Sequence, residues 1–361
     1  MKRTKITFVF GTRPEAIKMC PLILEMKRRD FASVRVVLSG QHRELCREVL
    51  DYFGVAPDCD LDVMSHGQTL FDLTEKILHG VRTELDESPP DLLLVHGDTT
   101  TAFSASLAAF YLGVRVAHVE AGLRSEEFFS PFPEEFNRRS IDACSFLHFC
   151  PTEKARRNLI LEGMDENRIF VTGNTVVDAL GYTLSGAALP PPSNHVRLLL
   201  TLHRRESRGV EMEGVLRAVR RAVERYENLH VLFPAHPARE VQDAAKLLLG
   251  EGRIRVSSPL PLAEFHRALL ESDLVLSESG GVLEEAVSLK KPTLIARKTT
   301  ERPEGVDSGG VILLGTDEEV IYSKLCELIE SPEARKSITA EQNPFGDGHA
   351  SERIADVIER I

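Results

Sequence analysis

The feature that most constrains this chain is a repeated exchange of short, almost wholly apolar runs with longer amphipathic ones. Runs at 5–10, 34–38, 91–95, 114–119, 146–149 and 169–172 are strand-sized and nearly continuous in apolar residues, as parallel strands covered by helices on both faces must be. Between them, 14–29, 42–53, 68–86, 99–111, 134–143 and 152–162 carry helical periodicity. A weaker helix at 174–184 leads into Pro190-Pro191-Pro192-Ser193, after which the alternation restarts. Strands are expected near 196–202, 229–234, 253–257, 273–277, 293–296 and 310–314, with helices near 211–226, 238–249, 262–270, 281–289 and 317–330. The fold class this implies is α/β, with two Rossmann-like doubly wound domains facing a central cleft. Expected boundaries are 1–178 for the first domain, 179–195 for a Pro-rich linker and 196–344 for the second. The closing segment 345–361 ends in an amphipathic helix able to pack back on the first domain.

Composition agrees with this and removes several classes of function. At 361 residues, 42% hydrophobic and 27% charged, the chain can build two ordinary cores. Its longest apolar runs, such as Leu92–Val95 and Leu198–Leu200, are far short of a membrane span. Ile6–Phe10 is too short for a signal peptide and runs into the charged Gly11-Thr12-Arg13-Pro14-Glu15, so the expected location is cytoplasmic. A net charge of -11, from 44 Lys and Arg against 55 Asp and Glu, argues against nucleic acid as a partner. The six cysteines have no C-x-x-C spacing and read as free thiols in a reducing compartment. No H-E-x-x-H, Cys/His pairing or D-x-D marks a metal site.

Doubly wound sheets hold ligands at the carboxyl ends of their strands, and the chemically able residues cluster there. After the first strand, Gly11-Thr12-Arg13-Pro14-Glu15-Ala16-Ile17-Lys18 combines a glycine turn, a proline suited to a helix start, and two cations at an anion-attracting helix terminus. Neither the Walker loop nor G-x-G-x-x-G spacing is present. After the strand at 91–95 comes His96-Gly97-Asp98-Thr99, where Asp98 is either an acid–base group or a helix cap. Glu120 ends the next strand, and Glu134 follows the Pro-braced aromatic loop Phe128–Pro133. Crowded carboxylates shift one another's proton affinity, which suits proton transfer near neutrality. In the second half, His203 precedes Arg204 after the first strand, and His236 follows the second. Ser279-Gly280-Gly281 opens a helix in a way that lets backbone amides approach phosphate, with Glu285 one turn on for ribose hydroxyls.

In this order the motifs resemble those of the UDP-N-acetylglucosamine 2-epimerase family, non-hydrolysing branch. The matching segments are Gly11–Glu15, Gln41–Glu44, His96–Thr99, His118–Arg124, Pro133–Glu135, Gly173–Thr175, His203–Glu206, Ser279–Gly281, Thr300–Glu304 and Asn343–Gly348. The resemblance spans essentially the whole chain and implies a glycosyltransferase-B-type fold around a UDP-sugar. It implies reversible C2 epimerisation to UDP-N-acetylmannosamine through a 2-acetamidoglucal and UDP, without a cofactor. Carried onto this sequence, Asp98, Glu120, Glu134, His203 and Lys18 are the catalytic candidates. Arg13, Lys18, His203, Ser279, Gly280, Gly281, Glu285 and Arg302 are the candidates for holding substrate and UDP. Some members bind a second UDP-N-acetylglucosamine as activator, and Gln41, Gln68, Arg204 and His236 match those contacts, although Gly67 stands where some activated members have Arg. Glu278 replaces the usual Asp before Ser-Gly-Gly, and Leu202 replaces the usual Gly or Thr before His203. A homodimer is also implied, as is a product destined for polysaccharide or glycoconjugate synthesis. A hydrolysing epimerase, a glycosyltransferase of the same fold and an inactive UDP-sugar-binding module remain as rival readings.

Overall fold

The computed structural model describes residues 3–65, 67–125, 127–129, 131–188, 193–202, 209–250 and 252–361. The chain divides into two compact units, Met1–Tyr182 with Phe345–Ile361, and Thr183–Pro344. Pro190, Pro191 and Pro192 of the expected linker lie outside the described residues, as do His203 and Arg204.

The first unit runs β1 (Thr4–Phe10), α1 (Arg13–Arg28), β2 (Ala32–Leu38), α2 (Arg43–Phe53), β3 (Cys59–Asp60), α3 (Leu70–Glu87) and β4 (Leu92–His96). It continues with α4 (Thr100–Tyr111), β5 (Arg115–Val119), α5 (Glu134–Cys144), β6 (Leu147–Cys150), α6 (Glu153–Leu161), β7 (Ile169–Val171) and α7 (Thr175–Thr183). The second unit runs β8 (Val196–Thr201), α8 (Val210–Arg225), β9 (Leu229–Pro234), α9 (Arg239–Leu248), β10 (Ile254–Ser257), α10 (Leu262–Glu271) and β11 (Leu274–Ser277). Then come α11 (Gly280–Ser288), β12 (Thr293–Ile295), α12 (Pro303–Asp307), β13 (Val311–Leu313), α13 (Glu318–Glu330) and α14 (Pro332–Ser337). The last helix, α15 (Ala350–Glu359), belongs to the first unit.

Both sheets are wholly parallel, in the orders β3-β2-β1-β4-β5-β6-β7 and β10-β9-β8-β11-β12-β13. The second is the strand order of dinucleotide-binding sheets, and the first adds one strand to it. In each sheet the chain changes direction of travel beside its first strand, between β1 and β4 and between β8 and β11. Loops leaving those strands diverge, so a crevice opens at their carboxyl ends.

The apolar runs are explained by two-sided coverage. All of β4 is buried. In β8, Leu198 and Leu200 enter one core with Val215, Leu216, Leu325 and Leu328, whereas Leu199 enters another with Leu269, Val275 and Ala286. Alternate residues of one strand thus serve opposite faces, and each such leucine contributes roughly 2 kcal/mol by burial. The tail is tied to the first unit by hydrogen bonds. Asp178 on α7 accepts from Ala350 N at 3.2 Å and Ser351 N at 2.7 Å, capping α15. Arg29 after α1 reaches Asp356 at 2.6 Å and Glu359 at 2.9 Å.

Among the described residues four elements fall outside the expected pattern: the two-residue edge strand β3, a 3-10 turn at Glu166–Arg168, and the short helices α12 and α14. Each is too short for periodicity to register. Among the described residues no helix is long and apolar enough to cross a membrane.

Candidate active site

The turn after β1 is built on a close approach. A side chain at Gly11 would place its Cβ 1.8 Å from Ser39 Oγ and 2.8 Å from Thr101 Oγ1, so only glycine fits. Glu15 is buried beneath that turn. It accepts from Gly11 N at 3.0 Å, Thr12 N at 2.7 Å and Thr99 Oγ1 at 2.7 Å, joining the β1 turn to the β4 turn. Burial raises its proton affinity, against the opposing pull of those hydrogen bonds. Helix α1 begins at Arg13, half-buried at its first position, with Pro14 second. Lys18, one turn further on, is buried and ion-paired with Glu120 across 102 residues of sequence.

Glu120 stands just past β5, and its backbone is left-handed at φ 67°. A non-glycine residue held there is strained by roughly 1 kcal/mol. Gly97 N donates to Val119 O at 2.9 Å and Ala121 N to Phe149 O at 3.0 Å, fixing the chain on both sides of it. Its carboxylate also accepts from Asn174 Nδ2 at 2.8 Å and has His96 Nε2 at 3.7 Å. Asn174 is itself held where Gly173 meets Phe345 and Gly346, its N–H donating to Phe345 O at 2.7 Å.

Asp98 leaves the end of β4, the neighbouring strand. Thr99 caps α4, accepting from Ala102 N at 3.0 Å, so Asp98 is not the cap. Instead Asp98 Oδ2 accepts from Arg138 Nη2 at 2.5 Å and Nε at 3.1 Å, and its carbonyl accepts from Asn137 Nδ2 at 2.9 Å. Arg138 is simultaneously held by the fully buried Glu135 at 2.9 Å. Glu134, half-buried, opens α5 in the same turn that supplies these contacts. The acid–base candidates Asp98, Glu120 and Glu134 and the cation Lys18 therefore come from the ends of β4 and β5 and the starts of α5 and α1. Sequence reasoning missed Arg138, Asn174 and His96. Their only signal was inclusion in matching segments or adjacency to them.

Behind both strand ends lies a fully buried carboxylate, Asp142 of α5. His118 of β5 donates through Nδ1 to Asp142 Oδ1 at 2.6 Å and through Nε2 to Gly97 O at 2.7 Å, because both partners can only accept. Arg124 Nη2 donates to Asp142 Oδ2 at 2.8 Å. Burial would raise the Asp142 pKa, but His118 and Arg124 more than reverse this and hold it at about 2.

In the second unit, Ser279 caps α11 and Gly280 and Gly281 form its first turn. The two glycines have different reasons to be glycine. A Cβ at Gly280 would lie 2.6 Å from Arg302 Nη1 and 2.8 Å from its Cζ, whereas one at Gly281 would have Ser279 Oγ nearest, at 4.0 Å. Arg302 is buried and donates to Glu284 at 2.6 Å and to Glu301 at 2.8 Å. Through those two bonds it braces the turn that Gly280 opens. Glu285 is buried, with His266 Nε2 3.4 Å from Oε1, and His266 Nδ1 bonds Thr183 Oγ1 at 2.6 Å.

The activator candidates fall in both units. Gln41 accepts from Thr101 Oγ1 at 2.9 Å, and Gln68 accepts from Ser65 N at 2.9 Å before α3. His236 accepts from Ala238 N at 3.1 Å in the second unit. Surface cavities of about 250 and 460 Å³ in the first unit lie away from every candidate residue. One is at the amino ends of the strands beside Asp91 and Arg115, the other beside β7 and α15. Among the described residues no group of His, Cys, Asp and Glu is arranged to hold a metal ion.

Comparison with known proteins agrees with the motif order. The model of the family described as UDP-N-acetylglucosamine 2-epimerase matches residues 24–359. A UDP-N-acetylglucosamine 2-epimerase of Bacillus subtilis is 45% identical over 361 residues, covering 99% of this chain and 95% of that one. The structure of a UDP-GlcNAc 2-epimerase from Neisseria meningitidis bound to UDP-GlcNAc superposes with a TM-score of 0.95 at 38% identity, covering 99% of this chain and 100% of that one. The Methanocaldococcus jannaschii UDP-GlcNAc 2-epimerase in complex with UDP-GlcNAc and UDP gives 0.85 at 33% identity, over 99% and 100%. This chain belongs to the UDP-N-acetylglucosamine 2-epimerase family.

Proposed function

We propose that the chain interconverts UDP-N-acetylglucosamine and UDP-N-acetylmannosamine. The observation that carries this reading is a pair of cation-bound carboxylates on adjacent strand ends, Glu120 with Lys18 and Asp98 with Arg138. In the forward half-reaction one carboxylate takes the C2 proton. The C2–H electrons form the C1–C2 double bond, and the C1–oxygen bond breaks toward UDP, leaving 2-acetamidoglucal. In the return half the other carboxylate gives a proton to the opposite face of C2, and a UDP oxygen bonds C1. Two carboxylates from neighbouring strands suit opposite faces of one sugar, with Glu134 as a third group for resetting their protons.

The amide-rich start of α11, with Ser279, Gly280 and Gly281, would stabilise the leaving diphosphate, and Glu285 would hold ribose. Arg13 and His203 would contact the phosphates, His203 on the strength of the motif alone. Arg302 would act by positioning Gly280. A second UDP-N-acetylglucosamine as activator at Gln41, Gln68, Arg204 and His236, a homodimer, and a cytoplasmic location complete the reading. The location draws support from six free cysteines.

Incubation with UDP-N-acetylglucosamine, followed by proton NMR, tests it. UDP-N-acetylmannosamine is the expected product. Free N-acetylmannosamine with UDP would reassign the chain to hydrolysis, and no turnover without an added acceptor would reject both epimerase readings.

A further inference from the structure

We propose that His118 and Asp142 are positioning residues that set the placement of Asp98 relative to Glu120. The inference rests on the C2 chemistry proposed above. His118 lies two residues before Glu120 on β5, is fully buried, and donates across the sheet to Gly97 O, in the turn that carries Asp98. Asp142 orients that ring from its other nitrogen, and its second oxygen accepts from Gly122 N at 3.4 Å, in the turn just past Glu120. One carboxylate therefore reaches both catalytic turns, one directly and one through an imidazole. Arg124 and the backbone carbonyl of Asp142, which accepts from His148 Nε2 at 3.0 Å, hold the hub in place.

None of these groups is proposed to touch the sugar. Their effect is geometric: Gly97 at φ 63° and Glu120 at φ 67° are both left-handed, and such turns relax when their hydrogen bonds are lost. A displacement near 1 Å at the reacting groups costs on the order of a hundredfold in rate.

Histidine can be replaced in halves. Glutamine keeps a donor near the Nε2 position, facing Gly97 O, whereas asparagine keeps one near Nδ1, facing Asp142. The expected result is that folded His118→Asn loses about a hundredfold in kcat while His118→Gln recovers at least about tenfold of it. KM for UDP-N-acetylglucosamine should change little in either, since the nucleotide grip is elsewhere. Deuterium uptake by the peptide spanning 96–100 should rise in His118→Asn and stay near wild type in His118→Gln. Equal kcat and equal uptake in the two variants would overturn the positioning role. A wild-type protein without C2 exchange, but with the uptake difference intact, would instead reject the reaction and leave the structural link standing. Should either variant fail to fold, Asp142→Asn tests the other arm of the hub, because its amide oxygen can still accept from the ring while its NH2 replaces the oxygen that accepts from Gly122 N and Arg124. Wild-type kcat and uptake there would also overturn the role.

Discussion

Lys18 and Glu120 form an ion pair inside the first unit, with side chains only 6% and 7% exposed. Two opposite charges withdrawn from water are costly unless each satisfies the other, and removing one leaves the second stranded. The pair therefore joins helix α1 to the end of β5 and keeps buried a carboxylate that is proposed to move a sugar proton. Asn174 supplies the second hydrogen bond this carboxylate needs.

Lys18→Met should destabilise the protein by roughly 3 kcal/mol or more, and Glu120→Gln by less, while the double variant should cost clearly less than the sum. Urea denaturation of the four proteins measures the coupling. Additive losses would mean that the pair is not energetically linked.

Glu120 also carries its backbone at φ 67°. Glu120→Gly and Glu120→Ala both delete the carboxylate, so their difference isolates the backbone. The glycine variant should be the more stable by about 1 kcal/mol. An alanine variant of equal or greater stability would show that the left-handed conformation is not strained.

Ser279-Gly280-Gly281 offers a paired contrast. Gly280→Ala forces a methyl against Arg302, which Glu284 and Glu301 hold rigidly, so stability should fall by about 1–3 kcal/mol. Gly281→Ala meets open space, so stability should hold while UDP binding weakens about tenfold or more, read by calorimetric titration. Equal melting temperatures for the two variants would break the distinction.

Asp142 has a folded pKa of about 2 against 3.8 for an ordinary aspartate. A depressed carboxylate pKa adds stability above the unfolded value, and that stability is lost as pH falls through the folded one. The window is therefore pH 4 to 2, and the contribution is roughly 2 kcal/mol. Asp142→Asn should be less stable than wild type at pH 6, with the gap closing toward pH 2. A gap constant across that range would contradict the assignment.

Much of this was legible in the sequence. Leu92–Val95 reads as a strand because both its faces are covered, and Asp98, Glu120 and Ser279 stand out because they immediately follow strands. What was not legible depends on residues far apart in the chain. Lys18 reads as a cation for the phosphates or the reacting sugar, and its ion pair with Glu120, 102 positions away, has no local signal. Arg302 reads as a ligand contact, and its bonds to Glu284 and Glu301, which brace the Gly280 turn, have no local signal. Asp98 reads equally as a cap, a question that the Thr99 hydroxyl and Arg138 settle. Local pattern identifies which residues lie at a strand end, whereas packing decides which way each side chain is answered.

The most direct test of the central claim is proton exchange at C2 of UDP-N-acetylglucosamine in D₂O, followed by NMR for wild type, Asp98→Asn and Glu120→Gln, with folding checked by circular dichroism. Wild type should place deuterium at C2 of the UDP-linked sugar, and both folded variants should lose exchange by about a hundredfold or more. Full exchange in either variant would remove that carboxylate from the proton path, and absence of C2 deuterium in wild-type product would contradict the account at its core.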